Sequence, residues 1–196
     1  MTMISTLARK RRFTFPKVDR YSNPFGEYLF ALPFCNQQFK VPTAQNLLRL
    51  KLPRTAQARR LLLQRDRLVL ALQETWREHS ADPAEIEVAF IDEPSIQRLH
   101  YDYLQDPSST DIITFDLGLS PEQIRLGALY ICPEVAERHA SKFKTSTQKE
   151  AQRLIAHGIL HLLGYDDHSP ADRRRMRRRE KKILALIAHP KRTITK

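Results

Sequence analysis

The most informative stretch of the chain is His157-Gly-Ile-Leu-His161-Leu-Leu-Gly164-Tyr165-Asp166-Asp167-His168. Two histidines four positions apart lie on one face of an α-helix, about one turn apart, so both imidazoles can reach a single ion. Gly164 predicts the end of that helix, in a left-handed conformation that needs no Cβ. The chain can then turn back and present a third ligand, which is either Asp167 or His168.

This combination of residues predicts a metal site. Three protein ligands leave a fourth position for water, which is the pattern of catalytic rather than structural zinc. The helix is similar to that of the zincins, but position 158 is Gly where a metalloprotease of the H-E-x-x-H type needs a glutamate as general base. A zinc protease is therefore disfavoured, and Gly158 predicts free space beside the metal for a bulky group such as a phosphodiester. Cys132 is a weaker candidate ligand, because it is expected to pack at a strand end.

The elements around this stretch follow from periodicity and capping residues. Ser146 or Thr147 predicts the start of a helix that runs through Leu163, and Ser169-Pro170 starts another that reaches about residue 188. Further helices are predicted at 55–79, 94–104 and 133–143, and strands at 46–50, 86–91, 111–115 and 126–132. Strands come early and helices late, which predicts a single α+β domain with a small, mixed four-stranded sheet and about five helices.

Length and composition exclude several classes of protein. A chain of 196 residues with 41% hydrophobic residues suits one globular domain and is too apolar for a disordered chain. Two cysteines, Cys35 and Cys132, make no disulfide framework, which favours a reduced, cytoplasmic protein. Apolar runs are too short for a membrane span. Residues 1–44 are predicted to be a loosely ordered extension or the result of a mis-set start codon, 45–190 the folded domain, and 191–196 a basic tail.

Positive charge is concentrated at the two ends of the chain. The net charge of +11 divides into +5 for residues 1–20, +9 for residues 169–196 and −3 for the remainder. Such a distribution suits a polyanionic partner, because lysines and arginines near phosphates release counterions. The hypothesis is that the last helix contacts RNA phosphates through Arg174, Arg178 and Lys182 without reading sequence. The alternative is a solvated face that only aids solubility.

Three motifs together resemble one known family. The pattern H-G-x-L-H-L-x-G-Y-D, followed by a methionine and a basic-acidic helix, resembles the YbeY family of bacterial endoribonucleases, the rRNA maturation factors. Upstream, Thr110-Asp-Ile-Ile-Thr-Phe115 resembles the family's T-[DN]-V-[LI]-[ST]-F, and Leu126-Gly-Ala-Leu-Tyr-Ile-Cys-Pro-Glu134 resembles its L-G-D-I-x-I-C-P-E. The resemblance covers about residues 46–188.

The resemblance implies a zinc-dependent, single-strand-specific endoribonuclease. Its expected role is maturation of the small-subunit rRNA 3′ end and ribosome quality control, with rRNA and the small subunit as partners and neither a membrane nor a nucleotide cofactor involved. One zinc ion per chain would be held by His157, His161 and a third ligand, and would activate a water molecule. The family usually has a histidine six residues after the second one. That position is Asp167 here, so gap-free register favours Asp167 over His168, and a carboxylate is an acceptable zinc ligand.

Proton transfer is not assigned by the motif. Without a glutamate at position 158, it falls to Asp166, His168, Asp111 or a second water molecule. Asp166 is expected instead to accept the other ring N–H of a ligand histidine. Tyr165 is expected to pack at the helix end.

Two departures from the family pattern affect substrate contact. An arginine that the family commonly has near position 104 is replaced by Leu104, and the aspartate of L-G-D-I is Ala128. Two alternatives therefore stay open. One is a ribosome-assembly RNA-binding factor with a mainly structural metal, and the other is a metal-dependent hydrolase of another substrate.

Overall fold

The computed structural model describes residues 6–7, 47–80 and 82–189. Except for Thr6 and Leu7, the predicted extension at 1–44 lies outside the described residues, as does the predicted tail at 191–196. The strands are β1 (Thr6–Leu7), β2 (Leu48–Lys51), β3 (Ala84–Phe90), β4 (Ile112–Leu119) and β5 (Arg125–Ile131). The helices are α1 (Ala56–Leu61), α2 (Arg65–His79), α3 (Glu93–Leu104), α4 (Pro133–Lys142), α5 (Thr147–Leu162) and α6 (Pro170–Ala188).

The strands form one mixed sheet in the order β1-β4-β5-β3-β2. The β4–β5 pair is antiparallel, and the other pairs are parallel. The prediction of an α+β fold with a mixed sheet built from four strands is confirmed for β2 to β5. The two-residue strand β1 adds an edge, with Thr6 paired to Ile113.

The predicted helix at 55–79 is two helices, so the described residues contain six helices. Leu61 and Leu62 are both buried, although Leu63 is exposed. Leu62 ends α1, with its N–H donating to the carbonyl oxygen of Ala58, and α2 begins at Arg65. The Arg65 guanidinium then donates to the carbonyl oxygens of Leu52 and Pro53 at 3.0 and 3.1 Å, which holds the start of α2.

The main core lies between one face of the sheet and the helices α2, α5 and α6. Alternation along β4 separates this core from a smaller one, because Ile112 points into the main core and Ile113 into the smaller cluster with Ile96, Cys132 and Val135. Helix α5 contacts β4, β5, α4 and α6, and it is buried along almost its whole length. His157 and His161 therefore lie on the helix at the centre of the main core.

Helix α6 is the longest helix of the described residues, with 19 residues. It buries only a narrow side, through Met176, Glu180, Ile183 and Ile187, and the rest of its surface is strongly basic. Within residues 6–7, 47–80 and 82–189, no helix combines the length and the apolar character needed to cross a membrane.

Candidate metal centre

His157 and His161 lie one turn apart on α5 with their ring nitrogens facing each other. The distance between the two Nε2 atoms is 3.0 Å, and both side chains are buried. The helix that carries them begins with Ser146, whose hydroxyl accepts a hydrogen bond from the backbone N–H of Lys149. The predicted proximity of the two imidazoles is therefore present in the fold.

The other ring nitrogen of each histidine has an oxygen partner. His157 Nδ1 lies 2.6 Å from Oε1 of Glu180, and His161 Nδ1 lies 3.0 Å from the carbonyl oxygen of Tyr165. Because a carbonyl oxygen and an ionised carboxylate only accept, each Nδ1 donates its hydrogen. A neutral imidazole has one N–H, so in the neutral form each ring offers its Nε2 lone pair to the same small space.

The environment keeps His161 neutral. Burial, reinforced by the neighbouring His157, lowers the pKa of His161 to about 4. Two neutral imidazoles whose Nε2 lone pairs face each other at 3.0 Å repel unless a proton or a metal cation lies between them. The donor set therefore fits a divalent metal ion.

Asp167 completes the set from the loop that follows α5. Its carboxylate oxygens lie 3.8 Å from His157 Nε2 and 4.0 Å from His161 Nε2, and its side chain is 10% exposed. Nitrogen and oxygen ligands of a tetrahedral zinc ion lie about 2.0–2.2 Å from the metal and thus about 3.3–3.6 Å from one another. The observed separations come within about half an ångström of that spacing.

Gly164 is responsible for the reversal that brings Asp167 back. Its φ of +92° lies in the left-handed region, where a side chain is disfavoured. Its N–H donates to the carbonyl oxygen of His161 at 2.9 Å, and the N–H of Tyr165 donates to that of Leu160 at 3.0 Å. Arg173 of α6 then donates to the carbonyl oxygen of Asp167 at 3.2 Å, which ties the loop to the next helix.

His168 and Asp166 lie away from the imidazole pair. The His168 side chain is 72% exposed, and its Nδ1 hydrogen-bonds the Asp166 carboxylate. Asp166 Oδ1 also accepts from the backbone N–H of Asp167 at 2.7 Å, so it stabilises its own loop. The structure thus brings Asp167, rather than His168, to the pair. It also corrects the expectation for Asp166, since the Nδ1 partners of the two histidines are Glu180 and the Tyr165 carbonyl.

Glu180 is the residue that the sequence reasoning missed. It is buried on α6, and Arg153 Nη1 lies 3.5 Å from the oxygen that accepts from His157. Burial alone would raise the pKa of Glu180, but the hydrogen bond from His157 and the charge of Arg153 lower it overall, so the carboxylate stays ionised. The sequence does contain a signal for a buried acid at this position. Glu180 comes four residues after Met176 and therefore falls on the apolar side of an otherwise basic helix.

A second group of ligand-type side chains lies beside the first but is already neutralised. Asp111, His139 and Glu150 bring ligand atoms within reach of one ion. Arg153 pairs with Glu150 through two hydrogen bonds of 2.6 and 3.0 Å and lies 3.7 Å from Asp111, while His139 Nδ1 lies 3.1 Å from Asp111. The guanidinium already supplies the positive charge between these carboxylates, so the histidine pair with Asp167 is the better metal site.

The space predicted at Gly158 is absent. A Cβ at this position would lie 2.6 Å from Leu129 Cδ2 and 2.9 Å from Thr114 Oγ1. Both atoms belong to the sheet, so Gly158 faces β4 and β5 rather than the metal ligands. The prediction that it accommodates a phosphodiester is wrong, and its role is close packing of the helix on the sheet.

Cys132 and Tyr165 have structural roles, as expected. Cys132 is buried in the smaller core cluster beside Glu134, and burial raises the pKa of its thiol to about 11. The Tyr165 hydroxyl lies 2.8 Å from His79 Nε2, which joins the end of α5 to α2. Ala128, at the position of the family aspartate, is buried in β5.

A cavity of about 640 Å³ opens beside His157 and Asp167. Its α6 wall carries three cationic residues at helical spacing, namely Arg173, Arg177 and Lys181. Phe143, at the end of α4, lines the cavity as well. The residues predicted to contact RNA lie beside this wall: Arg174 and Arg178 are exposed, and Lys182 pairs with Glu78 at 2.8 Å. Their predicted role remains a prediction.

The fold is similar to a solved structure. The solution structure of TM1509 from Thermotoga maritima aligns with a TM-score of 0.50 and 24% identity, covering 76% of this chain and 99% of that one. At this identity the likeness supports the fold alone.

Sequence comparison adds the family. The chain is 41% identical to an endoribonuclease YbeY of Chlorobium luteolum over 103 residues, or 53% of this chain and 74% of that protein. It is 36% identical to an endoribonuclease YbeY of Pelotomaculum thermopropionicum over 127 residues, or 61% of this chain and 84% of that protein. The model of the family Endoribonuclease YbeY matches residues 56–188, well over half of the 196 residues and all of the metal-site residues described above. This chain therefore belongs to the YbeY family of endoribonucleases.

Proposed function

We propose that this endoribonuclease depends on zinc and cleaves single-stranded RNA at the site formed by His157, His161 and Asp167. The observation that carries the proposal is the 3.0 Å approach of the two Nε2 atoms, with the Asp167 carboxylate oxygens 3.8 and 4.0 Å from them. Such a donor set suits zinc, and three protein ligands leave one coordination position open. The site borders a cavity with a cationic wall, which suits a phosphodiester.

Each residue around the site has a definable part in this chemistry. Zinc, when bound, makes a water molecule nucleophilic near neutral pH and acts as a Lewis acid toward a phosphoryl oxygen. His157, His161 and Asp167 would hold the ion. Glu180 and the Tyr165 carbonyl orient the two imidazoles through Nδ1, and such partners also raise the basicity of the ligands. Arg177 and Lys181 place positive charge along the cavity, where substrate phosphates would bind.

The biological role follows from the family and from the distribution of charge. We propose that the protein acts in the cytoplasm on rRNA, in maturation of the small-subunit 3′ end and in ribosome quality control. The exposed arginines of α6, Arg174 and Arg178, are available to phosphates of a ribosomal precursor, and Lys182 lies on the same side of the helix. These contacts would position the ribosomal precursor without recognising its base sequence.

The deciding experiment compares two histidine variants. Purified wild type, His161→Ala and His168→Ala are tested for cleavage of single-stranded rRNA, with zinc content quantified and folding verified by circular dichroism. His168→Ala is the matched control, because it removes an exposed imidazole only a few residues from the site. We expect cleavage to track zinc, to vanish in His161→Ala and to persist in His168→Ala.

Other outcomes would identify the alternative functions. Bound zinc together with equal or absent cleavage in all folded proteins would favour an RNA-binding assembly factor with a structural metal. Zinc-dependent hydrolysis of another phosphodiester with no action on RNA would favour a hydrolase of different substrate.

A further inference from the structure

The cavity beside the metal centre combines positive charge with an exposed aromatic ring. Phe143 is 52% exposed and ends α4, where it lines the same cavity as Arg177 and Lys181. A half-exposed phenylalanine at a cavity mouth is unlike the other described phenylalanines, Phe90 and Phe115, which are partly buried against the two core clusters. Lys142 Nζ lies 5.9 Å from its ring centroid and His139 contacts the ring edge to face, and the exposed half of the side chain is open to a ligand with a flat, apolar surface.

The cations of helix α6 differ in how far they are already engaged. Arg173 donates to the carbonyl oxygens of Asp167 and His168, so its guanidinium is engaged in holding the loop that follows α5. Arg179 and Lys182 face Glu78 of α2. Arg177 and Lys181, one turn apart, form no ion pair with any residue that the structure describes, although Arg177 is close enough to lower the pKa of Glu180. Both residues line the cavity, so their charge is close to any ligand that occupies it.

An unpaired nucleotide matches this arrangement. Proteins bind single-stranded nucleic acid with a positively charged groove for the backbone and aromatic side chains on which bases stack. A base in a duplex is already stacked and paired, so only an unpaired base can lie on such a ring. A volume of about 640 Å³ falls within the about 300–1,000 Å³ range of small-ligand pockets.

We propose that Phe143 stacks on an unpaired base of the substrate while Arg177 and Lys181 bind the adjoining phosphates, which places single-stranded RNA beside His157 and Asp167. This nucleotide subsite rests on the proposed function. It gives a physical reason for a preference for single-stranded over duplex RNA. Phe143 and the two cations are positioning residues, because they hold the RNA without touching the reacting atoms.

The test separates base stacking from charge. Two fluorescent probes are titrated against the full-length protein carrying its metal: a short single-stranded RNA and the same backbone with abasic sites. Phe143→Leu should weaken binding of the RNA about tenfold and leave binding of the abasic probe unchanged, and Phe143→Trp should retain both affinities. Arg177→Ala with Lys181→Ala should weaken both probes and reduce the slope of log affinity against log salt by about 1.4, or about 0.7 per phosphate contact.

The matched control is Arg59→Ala with Arg60→Ala, which removes the same charge from exposed positions on α1. An equal loss in this control would show that net charge alone governs affinity and would overturn the subsite. Equal effects of Phe143→Leu on both probes, in a protein with native circular dichroism, would also overturn it. Affinities are taken only from titrations in which the RNA is recovered intact. Binding is thus measured independently of cleavage, so a failure of zinc-dependent cleavage can be distinguished from a failure of the subsite.

Discussion

His157 Nδ1 lies 2.6 Å from the Oε1 atom of Glu180, a residue 23 positions later in the chain and on a different helix. This hydrogen bond orients a candidate metal-ligand histidine from outside its own helix. Glu180 is in turn held by the Arg153 guanidinium. The packing of α6 on α5 therefore also sets the orientation of the His157 imidazole.

Removal of this carboxylate should weaken both the metal site and the fold. Glu180→Ala is expected to reduce zinc affinity about 10–100-fold, because the His157 imidazole loses the partner that orients it. It should also lower the free energy of unfolding by about 1–3 kcal/mol, since it leaves the buried Nδ1 hydrogen of His157 without its acceptor. Zinc affinity is measured by competition with a chelator, and stability by urea unfolding. Glu78→Ala, which removes an exposed acid of α2, is the control; an effect of the same size there would contradict the assignment.

Asp167, rather than His168, should be required for stoichiometric zinc. Asp167→Ala removes the third ligand and is expected to lower zinc content well below that of wild type, while His168→Ala leaves it unchanged. Asp167→His should retain the metal, because imidazole nitrogen is an equally good zinc ligand. Metal content of the dialysed proteins measures this directly. Loss of zinc in His168→Ala with retention in Asp167→Ala would reverse the assignment.

Substitution of two glycines should separate packing from site geometry. Gly158→Ala forces a methyl group against Leu129 and should cost about 1–3 kcal/mol of stability. Gly164→Ala meets no atom within 4 Å but must adopt a φ of +92°. We expect it to cost about 1–2 kcal/mol and to weaken zinc binding by displacing Asp167. Thermal unfolding and zinc titration of both variants give the comparison; an unchanged stability of Gly158→Ala would refute the close packing.

The His139–Asp111 pair should make stability depend on pH. The hydrogen bond to Asp111 raises the pKa of His139, although partial burial opposes it. A raised folded-state pKa contributes stability that is fully present below the unfolded value of about 6.5 and is lost as pH rises through the folded value. The stability advantage of wild type over His139→Gln should therefore shrink from about pH 6 upward. Urea unfolding of both proteins over a pH series tests this, and a parallel pH dependence would contradict it.

Much of the fold could be predicted because its signals are local. Ser146 and Ser169 cap the α5 and α6 helices through their hydroxyls, and the sequence predicts these starts at Ser146 or Thr147 and at Ser169-Pro170. The i, i+4 spacing of His157 and His161 is a property of any helix, and Gly164 marks the reversal that follows. Propensity, capping and periodicity depend on residues within a few positions of one another, so the sequence alone determined these elements and their family.

Tertiary structure decided the features that join distant segments. The start of α2 after the break is held by Arg65, which contacts the carbonyl oxygens of Leu52 and Pro53. The role of Gly158 depends on Leu129 in the sheet, and the selection of Glu180 over Asp166 depends on how α6 packs against α5. The direction of Arg177 and Lys181 toward the cavity is likewise set by the rotation of α6 about its axis. Each of these depends on contacts between residues far apart in the chain. Side-chain volume, burial and charge determine such contacts only once the helices and strands have packed together.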